Sequence, residues 1–248
     1  MAETIESLSR GLDVLRLLES ADDLTLSDIA RGLGLSLPRT HRILATLERS
    51  GFVFRSAQAK SYRLSFGNPE QGAADAFERV LEAAYPALES LRDESGETAH
   101  LAMLAGRHIY FVASVESPQV MRVTSRVGRR VPAPVTAAGK VLLAHRPDDQ
   151  VQALLAGLDA SVRQRLSKEI AEARRTGLAR NLGESEVGMA TMSAAIRLGG
   201  TPPSHALSIS GPESRINPSR SIAMTAVERR FGQLLTRAAA QVSAALIG

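Results

Sequence analysis

Leucines at positions 8, 12, 15 and 18 recur at spacings of four, three and three, and Val14 and Leu17 widen the stripe. That period predicts an amphipathic helix over residues 7–20. Asp22 and Asp23 break it. A second, short helix is expected from about Thr25, where Asp28 three residues on completes a capping-box pattern. Ile29, Ala30 and Leu33 form its inner face, and Gly34 ends it. A third helix follows almost at once, with Ser36 as N-cap and Pro38 in the first turn. Ile43, Leu44 and Leu47 give its buried side, and Gly51 closes it. Two helices separated only by Gly34 and Leu35 have the spacing of a helix-turn-helix.

Two β-like pieces come next, 52–55 and 62–64, with polar residues between them. A hairpin after a helix-turn-helix reads as a wing. Residues 67–72 read as a linker, and a domain boundary is expected near 68–75. From Ala73 the helical pattern returns through Val80, Leu81, Ala84, Leu88 and Leu91, with Pro86 expected to kink or interrupt it. Beyond Gly96 the chain alternates strand-like and helical stretches. Strands are expected at 98–104, 108–115, 120–127, 189–198 and 206–210. Helices are expected at 136–145, 162–176 and 222–246. Strands gathered with helices around them suggest an α+β domain of sensor type.

Composition changes this picture mainly by exclusion. The chain of 248 residues has no Cys, which removes disulfides, thiolate metal sites and cysteine nucleophiles. No apolar run is long enough for a membrane span. The first ten residues lack an apolar core segment, so no secretory leader is expected and the setting reads as cytoplasmic. No histidine pair has a short metal-ligand spacing, and G-x-S-x-G, H-E-x-x-H and P-loop patterns are missing. No enzyme activity, metal or cofactor is therefore expected. The net charge of +4 is mild, and only Lys60, Lys140 and Lys168 are lysines, a bias that fits a GC-rich genome.

Where the charge sits is more informative. Residues 39–63 hold six basic side chains against Glu48, a net +5, whereas residues 1–30 carry a net −5. Such polarity within one small domain points to nucleic acid. Ser36, Arg39, Thr40 and Arg42 lie in the first two turns of the third helix, opposite Ile43, Leu44 and Leu47. A recognition helix reads bases with its N-terminal residues. Arg39 and Arg42 suit guanine edges or phosphates, and Thr40 a thymine methyl or a phosphate. Arg55, Lys60 and Arg63 on the wing would meet the sugar-phosphate backbone. His41 either touches DNA or covers the edge of the core. A solvated helix and a polar hairpin with no partner is the plain alternative.

Nearly the whole chain resembles the IclR family of bacterial transcriptional regulators. The resemblance rests on residues 7–15, on LTLSDIARGLGLSLPRTHRILATLERSGFV (24–53), on VESPQVMRVTSRVGRRVPAPVTAAGKVLLA (115–144) and on SISGPESRI (208–216). It implies an N-terminal all-α winged helix-turn-helix over 1–67, a linker helix over 68–95, and a C-terminal α+β GAF-like domain over 96–248 for effector binding and oligomerisation. It also implies a homodimer or tetramer on a palindromic double-stranded operator, modulated by a small aliphatic or aromatic acid. By position, the effector site would comprise Thr136, Ala137 and Ala138 ahead of Gly139-Lys140, with Thr191, Ser208 and Ser210 on strands. The bland alternatives are an N-cap for Thr136 and strand-to-strand bonds for Ser208 and Ser210. Asn181 and Leu182 stand where the family often has paired acids, which suggests a different effector. Arg122, Arg126, Arg129 and Arg130 form a cluster that would lie at the pocket mouth, at a subunit contact or in solvent. A second domain that binds a protein and not a metabolite is the competing reading.

Overall fold

The structure is a computed structural model and describes residues 5–20, 24–50, 52–56, 60–64, 71–198, 200–218 and 224–247. The chain divides into two compact units, Met1–Glu78 and Arg79–Gly248.

The first unit opens with α1 (Glu6–Ser20), β1 (Leu24–Thr25), α2 (Leu26–Leu33) and α3 (Leu37–Arg49). The capping box at Thr25 and Asp28 is formed in both directions. Gly34 ends α2 at φ 63°, a conformation in which a side chain would be strained. The wing strands are β2 (Val53–Ser56) and β3 (Ser61–Leu64). The short β1 pairs with β3 and makes a third strand that the hydrophobic pattern did not reveal. Val14, Leu18, Ile29, Leu44, Val53 and Tyr62 form the core. The α1 stripe is only partly used: Val14 and Leu18 are buried, but Leu8 and Leu12 are exposed.

In the second unit, α4 (Gln71–Ser95) leads into β4 (Thr98–Ala105) and β5 (His108–Val115). Pro86 lies inside α4 without ending it. Proline removes one helix hydrogen bond at a cost of ~3 kcal/mol. The burial of Val80, Ala84, Leu88 and Leu91 on both sides of it holds the helix together. The expected linker at 67–72 falls outside the described residues up to 70, and positions 71 and 72 already belong to α4. Gly51 and the start expected at 222 for the last helix also lie outside the described residues.

The strand expected at 120–127 does not form. Side-chain bonds hold that segment instead. The Thr98 hydroxyl donates to the Val123 carbonyl, and the Glu116 carboxylate accepts from the Ser125 amide at 2.8 Å. The strand next to β5 is β6 (Arg130–Pro132). A 3-10 turn (Ala133–Val135) then precedes α5 (Ala137–Leu143), α6 (Asp148–Leu155) and α7 (Ala160–Thr176). The remaining elements are β7 (Leu178–Leu182), β8 (Met189–Ile196), β9 (His205–Pro212), α8 (Glu213–Ile216) and α9 (Ala226–Ile247).

The six strands form one antiparallel sheet in the order β6-β5-β4-β9-β8-β7. Alternation assigns its two faces. Leu101, Leu207, Ile209, Met192 and Ala194 pack with α4 and α9. Ala102, Ala206 and Ala195 pack with α5 and α7 on the other side. Near one end of that second face the strands switch to polar residues. Thr98, Ser210 and Thr191 stand in register across β4, β9 and β8, as do His100, Ser208 and Ser193.

Candidate functional site

Two places carry the expected chemistry, one in each unit. On α3, Ser36, Arg39, His41 and Arg42 are exposed. Ser36 holds the N-cap position, but its side chain makes no cap bond. His41 is exposed and is not part of the core. Thr40 departs from expectation: it is fully buried, and its hydroxyl donates to the Ser36 carbonyl at 3.1 Å. One residue of helical rotation separates Thr40 from the exposed side, and its hydroxyl is spent on the turn before it. Arg39 is not free either. Its Nη2 bonds Glu6 Oε1 of α1 at 2.8 Å, and this bond holds the Glu6 carboxyl below its usual pKa. The local charge tally over 39–63 missed this partner because it lies 33 residues away. On the wing, Arg55 is exposed and stacks over the Tyr62 ring, 5.8 Å from its centroid. Lys60 is exposed in the turn, and Arg63 lies on β3.

In the second unit, Thr136, Ala137, Ala138, Thr191, Ser208 and Ser210 all line one cavity between the start of α5 and the polar patch of the sheet. It is tight, about 10 Å³, which is room for about one water molecule. The bland readings of these residues hold as well. Thr136 caps α5: its hydroxyl accepts from the Gly139 amide at 2.9 Å and donates to the Ala133 carbonyl at 3.1 Å. That hydroxyl has no proton left to give. Ser208 bonds Ser193 at 2.7 Å, and Ser210 bonds Thr191 at 3.0 Å. Each hydroxyl pair holds two protons and needs one for its own bond, so each retains one donor for a third group.

Gly139 explains how α5 comes so close. A Cβ there would stand 1.9 Å from the Ala133 carbonyl oxygen. Lys140 does not line the cavity. It is buried, and its ammonium donates to the Arg180 carbonyl at 3.1 Å and pairs with Glu184 and with Glu169, the latter at 2.7 Å. Asn181 is buried in the cavity wall, donates to the Val135 carbonyl and accepts from the Glu184 amide at 3.1 Å. It therefore ties β7 to the turn before α5 and puts a neutral amide in the cavity wall.

The predicted effector set did not include four further wall residues, Phe111, Ser185, Met189 and Arg126. Arg126 is the charged side chain of the lining. It is buried, its Nη1 bonds Glu186 Oε2 at 2.9 Å, and its Cζ lies 5.1 Å from the Phe111 ring centroid. The sequence flagged it only as part of a basic cluster. Two acids brought in by the fold, Glu116 and Glu186, divide that cluster: Arg122 pairs with the first, and Arg126 and Arg129 with the second. His100, behind Ser208 in register, is fully buried; its Nδ1 lies 3.0 Å from the Ser114 hydroxyl, and its Nε2 has no partner. Among the described residues no cluster of acids and histidines forms a metal site, and no helix is long and apolar enough to cross a membrane.

Two sequence profiles match the chain. The IclR helix-turn-helix domain covers residues 7–56, and the bacterial transcriptional regulator IclR C-terminal domain covers 76–244. The chain belongs to the IclR family. It is 30% identical to the transcriptional repressor IclR of Escherichia coli K12, over 98% of this chain and 91% of that protein. An IclR regulator from Silicibacter sp. TM1040 shares its structure with a TM-score of 0.75 at 26% identity, over 98% of this chain and 96% of the other. An IclR homologue from Microbacterium hydrocarbonoxydans, solved with 4-hydroxybenzoate, shares the fold at 20% identity, with a TM-score of 0.66 over 97% of each chain. As an IclR-family member the chain is a DNA-binding transcriptional regulator and not an enzyme.

Proposed function

We propose that this regulator binds a palindromic operator as a homodimer or tetramer in the cytoplasm, and that a small organic acid in the cavity under α5 modulates that binding. The DNA contacts fall to Ser36, Arg39, His41 and Arg42 on α3 and to Arg55, Lys60 and Arg63 on the wing. Thr40 supports α3 from within. The domain limits follow the sequence reading, 1–67, 68–95 and 96–248.

One observation carries the effector reading: six positions chosen on sequence resemblance, spread from residue 136 to residue 210, line a single cavity. The same wall offers a donor from each hydroxyl pair and no acidic side chain among the described residues. The Microbacterium relative's 4-hydroxybenzoate is an acid of the proposed class. Because the cavity is tight, the ligand is small or enters by moving wall side chains.

The test is calorimetry with 4-hydroxybenzoate and short aliphatic carboxylates, paired with operator gel shifts and a solution mass. Hydrogen bonds to a charged group contribute ~1.5–3 kcal/mol each, so Ser208→Ala/Ser210→Ala weakens a binding acid by about tenfold or more. Operator affinity without ligand stays, and the response to ligand is lost. Wild-type acid affinity in the double variant would place the ligand elsewhere, and a monomeric mass on the operator would remove the palindromic reading.

A further inference from the structure

Arg126 is costly where it stands. Its side chain is 6% exposed, and its Nε is buried without a hydrogen-bond partner. A guanidinium taken out of water needs a counter-charge. Its acid, Glu186, is 48% exposed and is shared with Arg129 at 3.5 Å. A half-exposed acid with two claimants is a loose counter-ion for a buried cation.

Arg126 also belongs to two spaces. It lines the tight inner cavity and, with Met189, an outer cleft of about 360 Å³. Its Nη1 rests 3.3 Å from the Met189 sulfur. These two flexible side chains are therefore shared by the inner cavity and the outer space. Arg122, Arg129 and Glu186 also line the outer cleft, so an anion there meets more positive than negative charge. At the inner end, the hydroxyl pairs of Ser208 and Ser210 offer hydrogen-bond donors.

Resting on the acid-binding reading above, we propose that the effector is a two-ended acid, a dicarboxylate. One carboxylate takes the Ser208 and Ser210 hydroxyls. The other displaces Glu186 and binds Arg126, whose planar fork suits a carboxylate. A monocarboxylate satisfies only one of the two ends.

The test uses α,ω-diacids from malonate to adipate, each against the monoacid of equal chain length, by calorimetry on the full chain. At least one diacid binds wild type ten or more times tighter than its monoacid, and Arg126→Gln abolishes that preference. Glu186→Gln lies on the exposed side, removes the competing counter-ion and tightens the diacid; it is the readout should Arg126→Gln fail to fold. Equal binding of diacids and monoacids, or a preference that survives Arg126→Gln or is untouched by Glu186→Gln, overturns this inference and leaves the acid-binding reading in place. Binding of neither series overturns this inference, and failure of 4-hydroxybenzoate to bind as well overturns both.

Discussion

Arg39 and Arg42 leave α3 on its exposed side but under different constraints. Arg39 has Glu6 at 2.8 Å, whereas Arg42 has no acidic partner among the described residues. On the proposed docking, DNA would compete with Glu6 for the first and meet the second without an acidic partner. A bidentate base contact is worth ~1–3 kcal/mol, so Arg42→Ala is expected to lower operator affinity by that amount. Glu6→Gln frees Arg39 and is expected to tighten operator binding severalfold, most at low salt, where screening is weakest. Gel shifts at two ionic strengths read both effects. Unchanged affinity in Arg42→Ala would take the start of α3 out of the groove.

α5 is seven residues long, and its placement rests on one missing side chain. Gly139 meets the carbonyl oxygen, carbonyl carbon and Cα of Ala133 at 1.9, 2.5 and 2.7 Å from its would-be Cβ. These are backbone atoms, so Gly139→Ala forces the 3-10 turn and α5 apart. Overpacking of this kind costs ~1–3 kcal/mol, and the urea midpoint is expected to fall with acid binding lost alongside it. A variant with the wild-type midpoint would show that the turn gives way freely. The sequence placed a helix over 136–145 with Thr136 as a possible N-cap, because caps act locally. The helix-turn-helix was legible for the same reason: its capping box, αL glycine and spacing are all short-range. The segment 120–127 was not, because Glu116 and Thr98 hold it by bonds that hydropathy does not encode. Arg126 was visible as a charge, but its burial depends on Phe111 and Glu186, which only the fold brings to it.

Two histidines of the second unit, His100 and His205, are buried deeply enough to couple stability to pH. His100 is pulled to a pKa of about 3, first by burial and then by the positive Arg126, against a smaller opposing effect of Glu116. In the unfolded chain an imidazole titrates near ~6.5, so the unfolded state gains the proton first as pH falls. The contribution of His100 is complete above about pH 6.5, declines below it and levels off near pH 3. His205, drawn by burial to about 4, acts in the same direction. Urea midpoints between pH 7.5 and 4.5 are expected to fall, and His100→Gln to fall less steeply. A midpoint independent of pH would mean that both rings accept a proton in place. The sheet has a further consequence for signalling. Ser208 and Ser210 face the cavity, while Leu207 and Ile209 between and beside them join the hydrophobic cluster that α4 and α9 close on the other side of the sheet. A guest seated as proposed would press on the same strand whose alternate side chains fill the far layer, as a push on one side of a panel is felt on the other. That layer is built from α9 and from α4, whose first turns, up to Glu78, are counted with the first unit.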